Sequence, residues 1–250
     1  MGELPRVFVG TMHSQEGDFQ ECLARVQAQE GVTVSHFIVS GLKEKEAHNA
    51  LWHAWRHQGS SHDLFVKLDA DTVLRDTSTL LEIWRQFEAN PCVTGLQAPL
   101  HDYMTDDLIN GLNAFNARVT FNDTKDELYC DRQVDTGHDV VLRGTQLPLS
   151  LRPAGLHCHR STLRQAFHYG LHRALKGQQQ TIELVQNAWN VDRDDVRAMA
   201  LLGAYWASDF AINRRFNYSD DEFKAAFAEA EARLGSFSDW MTHGRKGEFR

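Results

Sequence analysis

The segment Phe65-Val66-Lys67-Leu68-Asp69-Ala70-Asp71 sets two carboxylates two residues apart at the end of an apolar run. Residues two apart on extended backbone point to the same side, so Asp69 and Asp71 can share one cation. A hard divalent ion such as Mn2+ or Mg2+ takes oxygen ligands and keeps positions for phosphate oxygens. A departing diphosphate needs such an ion as its negative charge grows. An arbitrary Asp-x-Asp is more often a solvated strand end, and it is the apolar strand behind this pair that favours the chemical reading. Lys67 either braces the carboxylates with its ammonium or snorkels at a sheet edge.

Two histidine clusters follow. His157, Cys158 and His159 are consecutive, but neighbours on extended backbone face opposite ways and a closed tetrahedral site needs more ligands, so a structural zinc is not expected. His157 and His159 would share one face. Ser161 or Thr162 reads as the N-cap of the next helix, which leaves His159 nearer the turn and solvent and His157 deeper in the strand. His168 and His172 are four apart on a predicted helix and share a face. Without the intervening Glu of a zinc protease motif, they read as an exposed or pocket-lining face.

The elements that must position these groups alternate. Arg6 to Gly10 is strand-like and leads through a polar loop to Phe19, Cys22, Leu23 and Val26 at helical spacing. Val32 to Ser40 repeats the unit, with Ala47, Leu51, Trp52 and Trp55 as the helical stripe. Leu64 to Leu68 is a third strand, and Asp76 or Thr77 can cap a helix through Leu80, Ile83, Trp84 and Phe87. Strands alternating with helices imply an α/β fold with a parallel sheet, in which ligands bind at the carboxyl ends of the strands. Thr11, Ser40 and the Asp69/Asp71 pair all fall at such ends. Residues 92–158 are less regular, with strand-like pieces at Val93 to Ala98, Leu128 to Val134 and Val140 to Arg143. From Ser161 onward the pattern is helical. The expected organisation is a core over 1–160 and a helical region over 161–250 packed on it. Trp52, Trp55, Trp84 and Trp206 read as packing residues.

Composition sets bounds on function. The chain has 250 residues, 42% hydrophobic and 24% charged, within the globular range. A net charge of -8 argues against a general nucleic-acid binder. The four cysteines form no Cys-x-x-Cys pair, so reduced thiols are expected. Residues 1–6 lack the charged lead and apolar core of a signal peptide, and no stretch approaches the ~20 apolar residues of a spanning helix. The expectation is a cytoplasmic enzyme, with peripheral attachment to the inner membrane left open.

Taken in order, these pieces resemble a GT-A glycosyltransferase related to the family 2 enzymes of bacterial surface polysaccharide synthesis. The resemblance rests on Gly10-Thr11, the strand ending at Ser40, the helix bearing Glu46-Ala47-His48-Asn49-Ala50-Leu51, and Lys67-Leu68-Asp69-Ala70-Asp71. Leu156-His157-Cys158, the segment from Gln165 to Lys176, and Arg197 to Ala204 are similar to capsule-type members. The resemblance implies a GT-A, Rossmann-like sheet with helices on both faces and a helical C-terminal region. It implies a nucleoside-diphosphate sugar donor and a saccharide or lipid-linked saccharide acceptor. Association with other glycosyltransferase modules is compatible with it. Asp71 would be the principal ligand of Mn2+ or Mg2+, Asp69 would touch metal or ribose, and His157 would complete the metal site. Thr11 and Ser40 would lie near the nucleotide, and His48, Asn49 and Lys67 would support donor binding. An inverting enzyme also needs a base for the acceptor hydroxyl. Asp102, Asp131, Asp135 and Asp139 are the candidates, and the sequence does not choose among them.

Two rival readings use the same residues. Asp69-Ala70-Asp71 also resembles the first motif of haloacid-dehalogenase-type phosphatases, although two strand-helix units precede it and no later strand ends in that family's acidic motif. A non-catalytic GT-A-like module that binds a nucleotide sugar is the other.

Overall fold

The computed structural model describes residues 3–58, 61–130, 134–136 and 140–243, with backbone alone for 134–136. Three parallel strands form its core: β1 (Arg6–His13), β2 (Thr33–Ser40) and β3 (Leu64–Asp69), ordered β2-β1-β3. The helices between them are α1 (Phe19–Gln27) and α2 (Glu44–Gln58); β4 (Thr72–Leu74) and α3 (Thr79–Ala89) follow β3. β1 and β3 are apolar on both faces because both faces are covered. Val7, Val9, Leu64, Val66 and Leu68 pack with Cys22 and Val26 of α1 and Leu80, Ile83 and Phe87 of α3. Phe8 and Phe65 turn the other way, into a cluster with Leu51, Trp52 and Trp55 of α2. There the Trp52 ring lies flat on Phe121 at 4.3 Å, so Trp52 and Trp55 are packing residues, as expected.

The second half of the sheet is mixed. β5 (Gly95–Asp102), β6 (Asp107–Asn116), β9 (Val141–Arg143) and β10 (Gly155–His157) extend it in the order β3-β6-β5-β10-β4, with β9 beside β5. β6 runs antiparallel to β3, while β10 is parallel to β5 and antiparallel to β4. β4 follows β3 by two residues yet closes the far end of the strand order, so the sheet curls. β7 (Thr120–Phe121) and β8 (Val134–Thr136) form a separate antiparallel pair.

Two local expectations are corrected. Leu128 does not begin a strand, because the Asp126 carboxylate accepts the N–H groups of Leu128 and Tyr129 at 2.7 and 2.8 Å and folds the chain into a turn. Ser78, not Asp76 or Thr77, precedes α3. Asp76 instead accepts the Ser78 N–H at 3.0 Å in the turn before the helix.

The chain divides into two compact units, Met1–Tyr103 with Leu108–Arg160, and Met104–Asp107 with Ser161–Arg250. The second is built on α4 (Leu163–Leu175), α5 (Gln179–Asp192), α6 (Asp195–Trp206) and α7 (Asp221–His243). Thr162 caps α4 in a reciprocal pair with Gln165. Gly170 lets α4 and α6 touch backbone to backbone: a Cβ there would sit 1.7 Å from the Ala200 carbonyl oxygen. No described helix is long and apolar enough to cross a membrane.

His168 and His172 do not form an exposed face. His168 Nε2 donates to the Phe216 carbonyl at 2.7 Å, and the buried His172 Nε2 accepts the Phe216 N–H at 3.0 Å. Burial holds the His172 imidazole well below its ordinary pKa, and His168, Arg215, Lys176 and Arg173 add to the effect. The depressed value fixes the sign of the pH dependence. The contribution to stability is complete above the unfolded value of about 6.5 and is lost as pH falls toward the folded value. In denaturant unfolding between about pH 7.5 and about pH 5, the wild type should therefore lose stability more steeply than His172→Gln, whose amide oxygen can accept the same N–H without a proton to gain. Equal slopes would show that the imidazole is not held neutral by the fold.

Candidate functional site

The site is fixed by backbone register before any side chain is considered. β10 runs between β5 and β4, and in this register His157 stands beside Asp102 on one side and Thr72 on the other. The His157 carbonyl accepts the Tyr103 N–H at 3.0 Å, and the Asp71 carbonyl accepts the Cys158 N–H at 2.9 Å. Asp102, His157 and Asp71 are thus brought together from three separate parts of the chain. Gly155 makes the approach of β10 to β4 feasible, since a Cβ there would lie 2.4 Å from the Val73 carbonyl oxygen.

Side chains then form a line. Asp102 is 0% exposed, and its Oδ1 accepts from His157 Nδ1 at 2.7 Å. That bond places a proton on Nδ1 and turns Nε2 toward Asp71, whose Oδ2 is 3.6 Å away. Burial works against the imidazolium. The charges of Cys158 and Asp71 and the bond to Asp102 outweigh it, and the His157 pKa rises well above its ordinary value. Burial also raises the Asp71 carboxyl, against the pull of His157. Asp71 Oδ1 is buried and has no hydrogen-bond partner among the described residues.

Asp69 is in a different state. β3 ends at Asp69, and Ala70-Asp71 form a turn, so the strict alternation stops there. Lys67 Nζ, 7% exposed, donates to Asp69 Oδ1 at 2.7 Å, which makes Lys67 a brace for a carboxylate rather than a snorkelling edge residue. Burial would raise the Asp69 pKa, but the Lys67 charge and hydrogen bond bring it to about 2. The direction rests on that short pair, because the Asp69 side chain is 43% exposed and water already softens the burial effect.

Cys158 overturns the expectation that adjacent side chains face opposite ways. Its φ of 56° is left-handed, which swings the thiol back to the side of His157. Sγ lies 3.5 Å from Asp71 Oδ2 and 3.7 Å from His157 Nε2. Burial pushes this thiol up to about 12. His159 is exposed.

The loop after β1 contributes two acids that the sequence reading passed over. Glu16 Oε2 accepts the Ser14 N–H at 2.6 Å. Burial pushes its pKa up to about 7 against that bond, and Asp71 and Asp69 push the same way. Asp18 is fully buried and accepts the Arg160 N–H through both oxygens, at 2.9 and 3.1 Å. It pins the turn that carries Cys158. Their position in the polar loop at a strand end was the available signal.

The remaining sequence candidates are dispersed. Thr11 is buried and its hydroxyl pairs with His36 Nε2 at 2.9 Å, while Ser40 pairs with His13 Nδ1 at 3.4 Å. His48 is 2% exposed, bonded through Nδ1 to the Glu44 carbonyl at 2.9 Å, with Nε2 buried and without a partner among the described residues. Asn49 is engaged on both sides by the Thr124 backbone, at 2.7 and 3.3 Å. Asp102 stands behind His157 with no exposure, a poor place from which to take a proton from an acceptor. Asp131, Asp139 and the side chain of Asp135 lie outside the described residues.

The donor set fits a divalent cation. Asp71, His157 and Cys158 present one ligand atom each within 4.8 Å of one another. The unpartnered Asp71 Oδ1 and the Nε2 aimed by a buried carboxylate are what a metal-binding acid and imidazole require. No protein-family model and no curated protein sequence matches the chain. Among solved structures it is similar to a mannosyltransferase from Pyrobaculum calidifontis in complex with GDP-Man and Mn2+, at 13% identity and a TM-score of 0.42, over 96% of this chain and 84% of that one. It is also similar to a glycosyltransferase involved in the glycosylation of the major capsid of PBCV-1, at 12% identity and a TM-score of 0.30, over 45% and 60%.

If Asp102 orients the imidazole, Asp102→Asn should weaken Mn2+ binding about ten- to a hundredfold, the usual effect of losing an outer carboxylate. Mn2+ titration by electron paramagnetic resonance measures it directly, and unchanged affinity would remove Asp102 from the site.

Proposed function

We propose that the chain is a divalent-metal-dependent glycosyltransferase that moves a sugar from a nucleoside-diphosphate donor to a hydroxyl acceptor. The observation that carries the reading is the buried Asp71 oxygen past a strand end, without a hydrogen-bond partner among the described residues, beside a histidine whose Nε2 is turned toward the same carboxylate by the bond of Nδ1 to Asp102. Carboxylates gathered where ligands bind to an α/β sheet repel an anionic diphosphate unless a cation stands between them. Asp71 and His157 Nε2 would hold Mn2+ or Mg2+, with Asp69 at the open edge toward metal or ribose. The ion supplies neutralisation of the charge that grows on the leaving diphosphate.

The chain's own groups have separate tasks in this scheme. Asp102 keeps the His157 proton on Nδ1. Lys67 keeps Asp69 ionised. Asp18 holds the turn after β10 through Arg160. Thr11 and Ser40 border the nucleotide side, and His48 lies behind Lys67, whose charge opposes its protonation. The acceptor base belongs to the candidates Asp131, Asp135 and Asp139 in this reading, with a saccharide or lipid-linked saccharide acceptor of the kind used in bacterial surface polysaccharide synthesis. That last context rests on the sequence resemblance. Cytoplasmic placement, peripheral to the inner membrane, belongs to the same proposal.

A panel of nucleotide sugars with Mn2+ tests the reading by thermal stabilisation and release of nucleoside diphosphate. Stabilisation and turnover by one donor support it, stabilisation without turnover points to a binding module, and phosphate release from phosphomonoesters points to a phosphatase. Excess chelator should abolish the stabilisation by the donor. Asp71→Asn should remove turnover, by more than about a hundredfold, while the protein unfolds at a temperature close to that of the wild type. Near-normal turnover in this variant would sink the proposal.

A further inference from the structure

A pair of oxygens and an imidazole suffices for Mn2+ or Mg2+, so the buried thiol at the same point calls for a separate account. We propose that Asp71, His157 and Cys158 form a three-ligand site for a thiophilic divalent ion of the zinc class, with the Cys158 thiolate as a ligand and a fourth position open. It is the site to which the proposed function assigns the hard ion, and the inference rests on that reading only for its consequence, which is competition between the two metals.

The three donor atoms define a triangle with edges of 3.5 Å (Sγ to Asp71 Oδ2), 3.7 Å (Sγ to His157 Nε2) and 3.6 Å (Nε2 to Oδ2). Zinc bonds of about 2.3 Å to sulfur and about 2.0 Å to nitrogen and oxygen, at tetrahedral angles, require edges of about 3.5, 3.5 and 3.3 Å. The same bonds at right angles would need edges of only about 2.8–3.0 Å. The triangle is therefore already close to one face of a tetrahedron. Two further features support a ligand at its centre. Asp71 Oδ1 is buried without a hydrogen-bond partner among the described residues, which leaves that oxygen able to adjust toward an ion. The left-handed backbone at Cys158 directs the thiol into the site, and Asp18 pins the following residue pair through the Arg160 N–H.

Binding is a proton exchange and involves no redox step. The metal displaces the thiol proton and any proton on His157 Nε2 to solvent, loses waters, and gains a sulfur, a nitrogen and an oxygen ligand. Thiolate favours zinc-class ions over Mn2+ and Mg2+ because it is the softer donor. Zinc should then occupy the site in preference to the hard ion.

Cobalt is the probe, added to the reduced full chain without nucleotide. The expected result is a thiolate-to-Co2+ charge-transfer band in the near ultraviolet with visible bands of tetrahedral intensity, both erased by an equivalent of Zn2+. The charge-transfer band should vanish in Cys158→Ser and persist in Cys92→Ser, which removes the exposed thiol. A weak octahedral spectrum without charge transfer would overturn the proposal, as would a band that survives in Cys158→Ser or disappears in Cys92→Ser. Should Cys158→Ser fail to fold, zinc-edge X-ray absorption on the wild type decides: one sulfur at about 2.3 Å is required, and a shell of nitrogen and oxygen alone refutes it. Turnover of a nucleotide sugar with Mn2+, measured on the same preparation, separates the two readings. Turnover without sulfur ligation overturns only this inference, and sulfur ligation without turnover overturns only the glycosyltransferase reading.

Discussion

The placement of β10 between β5 and β4 is the constraint from which the site follows. Because β10 is parallel to one neighbour and antiparallel to the other, its last residue, His157, is held by backbone bonds to Tyr103 and, through Cys158, to Asp71. A slip of one residue would turn His157 to the opposite face and separate it from both carboxylates. The apolar layers beneath β1 and β3 fix the end of β3, and with it Asp69, but they say nothing about where the imidazole goes. That is decided by three short strands, one of them dependent on a glycine.

Charge explains why this register is worth specifying. Asp102 is fully buried, and an ionised carboxylate without a cationic partner is costly in such a place. His157 supplies the partner through the short bond to Asp102, and that bond adds to the effect of Cys158 and Asp71 in raising the His157 pKa. Asp71, on the other side of the ring, receives the longer approach of Nε2, a weak S–H donor and its own backbone N–H. One carboxylate is satisfied and the other is left short of positive charge. A fold that merely tolerated acids at its strand ends would have no reason to satisfy the inner one so well and leave the outer one incomplete.

Much of the frame was legible because its signals are local. The apolar runs at Arg6 to Gly10, Val32 to Ser40 and Leu64 to Leu68 became strands with little change, and the stripes of α1 and α2 were equally plain. β6 was not. Its sequence, Asp107 to Asn116, is broken by Gly111 and three asparagines, and its burial is patchy, so neither alternation nor a continuous apolar run marks it. The reading of Cys158 as facing away from His157 failed because alternation presumes extended backbone, and a single left-handed residue reverses it. Asp102 could be found only as an acid in an irregular stretch. Its tie to His157 spans 55 residues and depends on a register that no local pattern encodes.

The two aspartates of the Asp-x-Asp segment, equivalent by spacing, are not equivalent in the fold. Asp69 has Lys67 at 2.7 Å, remains ionised, and stands half open to solvent. Asp71 lies past the strand end, where Asp69 and Glu16 add negative potential and the Cys158 thiol donates a weak hydrogen bond. A cation entering from solvent would meet Asp69 first and gain most at Asp71, where the field is least compensated. Lys67 sharpens the difference: by pairing with Asp69 it would leave a divalent cation to favour the carboxylate that His157 and Cys158 face, as the proposed function requires. The spacing offers two carboxylates, but the lysine two residues before Asp69 makes them unequal.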